Sequence, residues 1–329
     1  SRLYAPEAFG IAALFVSLTT ILGVLACMRY ELSIVLPEND SEAANLLGVS
    51  LLFTLIITFC TALIIWFGST FILGWINMSE LAPYLWLIPI GVLFQGLFTA
   101  FNYWNTRTKH FTRLSIVNVS KQISNTTGTL GAGFAGYATG GAMIVANVGS
   151  QVIATVVLGG QILRDNAKYF IKHIKWLDMI AGIKRYKKFP LFSSWSALLN
   201  SLSLQLPVFL IATFFNPVIV GFYALGHRIL NIPMNFLGTS IGQVFFQKAA
   251  KAKISGTLAQ LVENTFQRLI QIASFPFLLL IVIGPELFTF LLGSKWVTAG
   301  LYVQILAPWM FFVFVGSPIS TLLSVLEKQ

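Results

Sequence analysis

The sequence predicts an all-α, polytopic transmembrane helix bundle with about nine spans. Three observations predict it. Of 329 residues, 56% are hydrophobic and only 10% are charged, against about 25% charged in an ordinary soluble domain. The mean hydropathy is +0.80. The basic residues behind the formal net charge of +10 gather in short segments between long apolar runs. A water-soluble fold of this length has no core large enough to hide 29 Phe and 8 Trp together with the aliphatic residues.

About 20 apolar residues cross the hydrocarbon core as a helix. By that ruler, spans fall near 9–28, 46–67, 84–103, 115–135, 140–163, 189–215, 218–246, 257–283 and 299–326. Pro89, Pro308 and Pro318 lie inside three of them, where proline is tolerated and marks a kink. Orientation follows from Lys and Arg in the short loops. One set of alternate loops holds Arg29, the group Arg107, Lys109 and Arg113, the run from Arg164 to Lys188, and Lys248, Lys251 and Lys253, with Lys328 on the same side. The opposite loops hold Arg2 and Lys295. The basic face is therefore expected to be cytoplasmic. No cleavable signal peptide is visible, and the first apolar helix serves for targeting. Ser1 does not read as a start and the chain stops at Gln329 after an apolar run, so a fragment cut at both ends is expected.

The longest polar stretch, 164–188, reads as a basic, partly amphipathic connector along the membrane surface or as a solvated linker. It divides the chain into an N-terminal lobe, 1–163, and a C-terminal lobe, 189–329. The halves look related. Pro6, Gly10 and the pair Ala13-Leu14 recur as Pro217, Gly221 and Ala224-Leu225, and Pro89 with Pro308 is a second correspondence. Repeats in the same orientation imply an axis along the membrane normal, with a substrate path between them.

Polar residues inside membrane helices face a bundle interior or a wet cavity. Four stripes at helical spacing carry them. Asn118, Lys121, Gln122 and Asn125 form one; Ser193, Ser196, Asn200 and Ser203, with Gln205 nearby, form another. Arg228, Asn231 and Asn235 form a third, continued by Gln243, and Asn264, Gln267, Arg268 and Gln271 a fourth. Hydrogen bonding between helices is the competing reading for the small residues, and snorkelling to the interface competes for Arg268, Lys121 and Arg29. Among the carboxylates only Glu263 reads as an intramembrane partner. A cationic, amide-rich surface suits an anionic head group that carries many hydroxyls, because Arg engages phosphate oxygens bidentately. The candidate substrate-binding residues are thus Arg29, Asn118, Lys121, Gln122, Asn125, Asn200, Arg228, Asn231, Arg268 and Gln271.

Other chemistry finds little support. Cys27 and Cys60 sit in apolar runs, away from any metal-ligand spacing. His110, His173 and His227 are scattered, although His227 beside Arg228 could titrate. Glu7, Glu80 and Glu286 stand one per outer loop, without a catalytic pair. Gly131-Ala-Gly133-Phe-Ala-Gly136 matches G-x-G-x-x-G, but it ends a membrane span instead of following a strand, so a turn or tight packing is expected. Neither enzymatic activity, a metal, a cofactor nor nucleic-acid binding is expected.

Three passages carry a family resemblance. They are Arg2-Leu-Tyr-Ala-Pro6-Glu-Ala-Phe-Gly10 with Met28-Arg-Tyr-Glu-Leu-Ser-Ile-Val-Leu36-Pro, then Asn102-Tyr-Trp-Asn105-Thr-Arg-Thr-Lys109, and last Phe189-Pro-Leu-Phe with Ala197-Leu-Leu-Asn200, Gln205-Leu-Pro207, Gly221-Phe-Tyr-Ala-Leu225 and Gln243-Val-Phe-Phe246. The chain resembles the polysaccharide exporter, O-antigen flippase-type branch of the multidrug/oligosaccharidyl-lipid/polysaccharide (MOP) superfamily. The resemblance implies two pseudo-symmetric lobes of six helices in a full-length protein, with one helix absent at the front here and at least two at the back. It also implies translocation of undecaprenyl-pyrophosphate-linked oligosaccharide across the bacterial inner membrane by alternating access, for O-antigen, capsule or exopolysaccharide. Membrane lipids, a polysaccharide polymerase and assembly proteins would be partners, and Arg29, Arg228 and Arg268 would contact pyrophosphate or sugar. The alternative is a multidrug or cation exporter of the same superfamily, which usually uses acidic residues deep in the bundle.

Overall fold

The computed structural model describes residues 2–76, 79–234, 241–242, 244–245, 248–249, 252, 256–320 and 322. Among these the secondary structure is helical, without a strand. Asn235, Gln243, Phe246, Lys251, Lys253 and Lys328 lie outside the described residues, as do parts of the expected spans 218–246 and 299–326. Ten helices are labelled in chain order: α1 Pro6–Leu25, α2 Asp40–Ile76, α3 Leu87–Arg107, α4 Phe111–Phe134, α5 Gly140–His173, α6 Trp176–Arg185, α7 Ser194–Phe214, α8 Pro217–Pro233, α9 Leu258–Leu292 and α10 Val297–Ser320.

Seven of the described helices are long and apolar enough to cross a membrane: α1, α2, α3, α5, α7 with the turn before it, α9 and α10. The expectation of about nine spans also included 115–135 and 218–246. Helix α4 fills the first of these with 24 residues, long enough for a bilayer, but its Asn, Gln, Lys, Ser and Thr residues keep it out of the apolar set. Helix α8 runs for 17 described residues. On α2, Phe59, Trp66, Phe67 and Phe71 are exposed, as expected where lipid is the solvent.

The chain packs as two compact units, Leu3–Val220 and Gly221–Gln329 with Ser1–Arg2. In the first, α7 joins α1: Ser17 Oγ donates to Gln205 Oε1 at 2.7 Å. This packing boundary falls one helix later than the repeat boundary read near 189. A core between α2, α3 and α5 contains Leu46, Leu47, Ala154 and Leu158, with Trp104 edge-on to Phe170 at 5.0 Å. Asn45 fastens the break between α5 and α6. Its Nδ2 donates to His173 O at 2.9 Å, and its Oδ1 accepts from Lys175 N–H at 2.8 Å. Amphipathic α6 then buries Met179 and Gly182 and leaves Trp176 and Leu177 exposed.

The sequence punctuation explains several helix ends. Pro6 and Pro217 open α1 and α8, where a missing N–H removes no intrahelical bond. Pro89 is in the first turn of α3, so the kink expected there is absent: a first-turn N–H has no helical acceptor to lose. The G-x-G-x-x-G segment closes α4, with Gly136 at φ +89° and Tyr137 N–H donating to Ala132 O. It is a helix stop.

In the second unit α9 bends at Ile283. Pro285 cannot donate to the carbonyl of Ile281, four residues earlier. Gln304 of α10 replaces that donor, its Nε2 lying 2.6 Å from Ile281 O. The helices approach closely there: a side chain at Gly300 would collide with Pro285 Cα and Gly284 O, at 2.6 and 2.7 Å. Gln304→Leu should therefore leave a part-buried carbonyl unpaired and cost about 1–3 kcal/mol. A lowered Tm by tryptophan fluorescence is the expected readout; an unchanged Tm would show that the bond is dispensable.

Candidate substrate cavity

The turn after α1 sets the site. Met28 and Arg29 have φ +49° and +61°, left-handed values that cost about 1–3 kcal/mol each for residues with a Cβ. Surrounding bonds hold them. The next residues form a 3₁₀ turn, Tyr30–Val35, in which Ser33 Oγ donates to Tyr30 O at 2.7 Å. Tyr30 Oη donates to Ile183 O at 3.2 Å. Arg107, at the end of α3, clamps the far side. Its Nη1 donates to Ile34 O at 3.2 Å and to Pro37 O at 2.7 Å, and its Nη2 reaches Asp40 Oδ1 at 2.8 Å. A guanidinium suits this task because it offers several donors in one rigid plane.

So held, Arg29 lines a cavity of about 710 Å³ within the Leu3–Val220 unit. Thr20 of α1 lines it, as do Ser193, just before α7, and Ser196, Asn200, Ser201 and Gln205 of α7. A π-helical turn, Phe189–Ser193, leads into α7; such turns recur at functional sites. Arg29 is the sole charged residue among the described lining residues. The cavity thus offers one cation and a set of hydroxyls and amides, interspersed with the apolar Val24, Leu32, Phe192, Ala197 and Leu204.

The structure joins two sequence expectations here: Arg29 and most of the stripe with Asn200. Ser203 of that stripe is exposed and does not line the cavity. The other expected residues are placed elsewhere. On α4, Asn118 and Gln122 are exposed and Asn125 is half-buried. The Lys121 ammonium lies 5.2 Å from the Phe98 ring centroid, a cation–π distance. On α8, Arg228 is exposed, and Asn231 Nδ2 donates to His227 O at 2.8 Å. On α9, Asn264 and Arg268 line a groove of about 510 Å³ with Lys248 and mostly apolar neighbours. Gln271 is exposed, and Gln267 donates to Glu263 at 3.4 Å.

Sequence reasoning missed Glu31. Its carboxylate is the acid beside Arg29, one of the expected substrate-binding residues. Glu31 Oε1 lies 3.5 Å from Arg29 Nη1, with side-chain exposures of 3% and 30%. Burial pushes the Glu31 carboxyl above the ordinary carboxylate range, opposed by its own backbone N–H and by Arg29. The position was visible in the Met28-Arg-Tyr-Glu segment; its burial was not, since a residue three places past a span reads as a solvated loop.

The raised Glu31 value has a signed consequence. Its favourable contribution to stability is complete below the unfolded carboxylate value and is lost as pH rises through the folded one. Glu31→Gln should accordingly raise Tm at neutral pH and leave it nearly unchanged in acid. A Tm difference that is independent of pH would contradict the assignment.

A family model described as polysaccharide biosynthesis protein matches residues 1–300, nearly the whole chain. A solved structure described as an inward-facing conformation of a multidrug resistance MATE family transporter of the MOP superfamily matches with a TM-score of 0.67 and 15% identity. The match covers 98% of this chain and 78% of that one. A comparison with curated proteins gives no match. The fold is therefore of the MATE type, in a multi-pass membrane protein.

Proposed function

We infer, from the premise that the chain belongs to the polysaccharide biosynthesis protein family, that it is a flippase for lipid-linked oligosaccharide. The cargo proposed is an undecaprenyl-pyrophosphate-linked glycan, moved across the bacterial inner membrane from the cytoplasmic leaflet by alternating access of two lobes. The observation that carries the cargo class is the Arg29 cavity, in which a single cation stands among hydroxyls and amides. A guanidinium offers paired donors to pyrophosphate oxygens. Ser196, Asn200 and Gln205 offer hydrogen bonds to sugar hydroxyls. The cavity belongs to the side of the unit that carries the basic loops, which is the leaflet where such a cargo would be loaded.

The remaining candidates keep a place in this reading. Arg228 on α8 and Arg268 on α9 would meet the cargo in another part of its path, and the groove with Lys248 and Arg268 combines apolar walls with cations. The lobe boundary near 189 is proposed as the repeat boundary. A polymerase acting on the exported glycan would be a functional partner. The drug-exporter alternative has the MATE-type fold in its favour, but the described cavity lining offers a cationic drug no carboxylate.

A leaflet assay tests the reading. The full-length protein is reconstituted in vesicles with lipid-linked oligosaccharide, and exposure of the sugar to an outside probe is followed. Protein-dependent exposure is expected, reduced by about tenfold or more in Arg29→Ala, the loss of one charge-assisted contact of about 1.5–3 kcal/mol. Arg228→Ala should also impair exposure while leaving membrane insertion intact. No exposure with any glycan donor, together with efflux of cationic drugs, would replace the reading with the alternative.

A further inference from the structure

We propose that Glu31 is a proton-binding site that competes with the anionic head group for Arg29, so that loading of the cavity takes up a proton. The proposal rests on the reading of the cavity as a pyrophosphate site, and adds to it a linked ion and the residue that binds it.

The Arg29–Glu31 pair is built unlike a structural salt bridge. A buried ion pair persists when its geometry is good and its remaining polar atoms are satisfied. Here the single contact is 3.5 Å, longer than the usual 2.7–2.9 Å of a charge-assisted bond. Glu31 Oε2 and Arg29 Nε are both buried and have no hydrogen-bond partner. The two residues belong to one strained turn, with Arg29 facing the cavity and Glu31 behind it. Arg29 therefore has donors to spare for a second anion, and Glu31 depends on Arg29 for its only described countercharge.

Neighbouring groups do not relieve that dependence. Cys27, just past α1, and Tyr103 of α3 have a thiol and a phenol, neither of which can supply a positive charge. Arg107 of α3 is committed to Asp40 and to the backbone of the turn. On α2, Asp40 and Glu42 are paired with Arg107 and Arg185, and Cys60 is exposed. The π-helical turn 189–193 has no titratable residue. Tyr30, next in the chain, donates to Ile183 O.

When a pyrophosphate oxygen takes the Arg29 donors, an ionised Glu31 is left buried beside a second anion. Taking a proton from water onto a Glu31 carboxylate oxygen removes that repulsion. One O–H bond forms, and the Arg29 charge passes from the carboxylate to the phosphate. Departure of the head group reverses the exchange. The upward pressure of burial on the Glu31 carboxyl brings this exchange closer to neutral pH.

The test uses the full-length protein in lipid nanodiscs and farnesyl-pyrophosphoryl-N-acetylglucosamine as probe. Its pyrophosphate is esterified at both ends and does not titrate between about pH 5 and 8. Infrared difference spectra on probe binding should show a new protonated-carboxyl band in the wild type, and none in Glu31→Gln. Affinity of the wild type should fall by up to about tenfold per pH unit above the Glu31 titration, and stay flat in Glu31→Gln. Glu31→Asp, which keeps a carboxyl, should keep the slope. Probe binding with no band and no slope in the wild type overturns the proposal and leaves the cavity reading intact; that measurement needs no variant. A probe that fails to bind at any pH overturns both.

Discussion

Arg107 reaches from the end of α3 to Asp40 and to the carbonyls of Ile34 and Pro37, and the placement of Arg29 depends on that reach. The turn between α1 and α2 contains two consecutive left-handed residues with side chains. A turn of that kind, left to itself, relaxes. Clamped by Arg107 on one side and by Tyr30 to Ile183 O on the other, it holds a guanidinium at the cavity wall and a carboxylate behind it. The strain is local, and so is the chemistry it presents.

A related logic holds at the bend of α9 in an apolar solvent. Lipid offers no hydrogen bond to a freed backbone group, so a second helix must supply one. Gln304 does this for the carbonyl released by Pro285. Gln151 and Thr155 of α5 both donate to Phe94 O of α3, at 3.2 and 3.0 Å. Such residues are the helix-joining kind, and polarity alone does not separate them from residues that line a path. The cavity is distinguished by a different pattern: a guanidinium with an unused buried nitrogen and a set of hydroxyls and amides.

Composition and apolar run length made the helical membrane fold legible, because both report the solvent directly. Family membership was legible in short motifs spread over the chain. Span count was less so. Helix α4 is as long as its neighbours, yet so polar that length and hydropathy give different answers for it. The site was legible in part. Helical spacing placed Ser196 and Asn200 on one face, but spacing cannot tell which helix that face meets, and the approach of α7 to α1 is a tertiary fact. Glu31 was hidden because burial of a loop residue depends on packing of elements far away in sequence, here α2 and α3. Glu263 drew the eye by its place near a stripe, and the structure leaves it exposed beside Gln267.

A MATE-type fold with a cationic, hydroxyl-lined cavity is suited to carry an anionic, sugar-bearing head group past a hydrocarbon barrier, provided the cavity is wet and opens toward the cytoplasm. Cysteine accessibility measures both properties. Cys27 is buried and Cys60 exposed, so Ser196→Cys in a Cys60→Ser background places one reactive thiol on the cavity wall. A membrane-impermeant maleimide added from the cytoplasmic side should label it, and lipid-linked oligosaccharide should protect it. A thiol that stays unlabelled from that side, or is labelled equally with and without the cargo, would contradict the account.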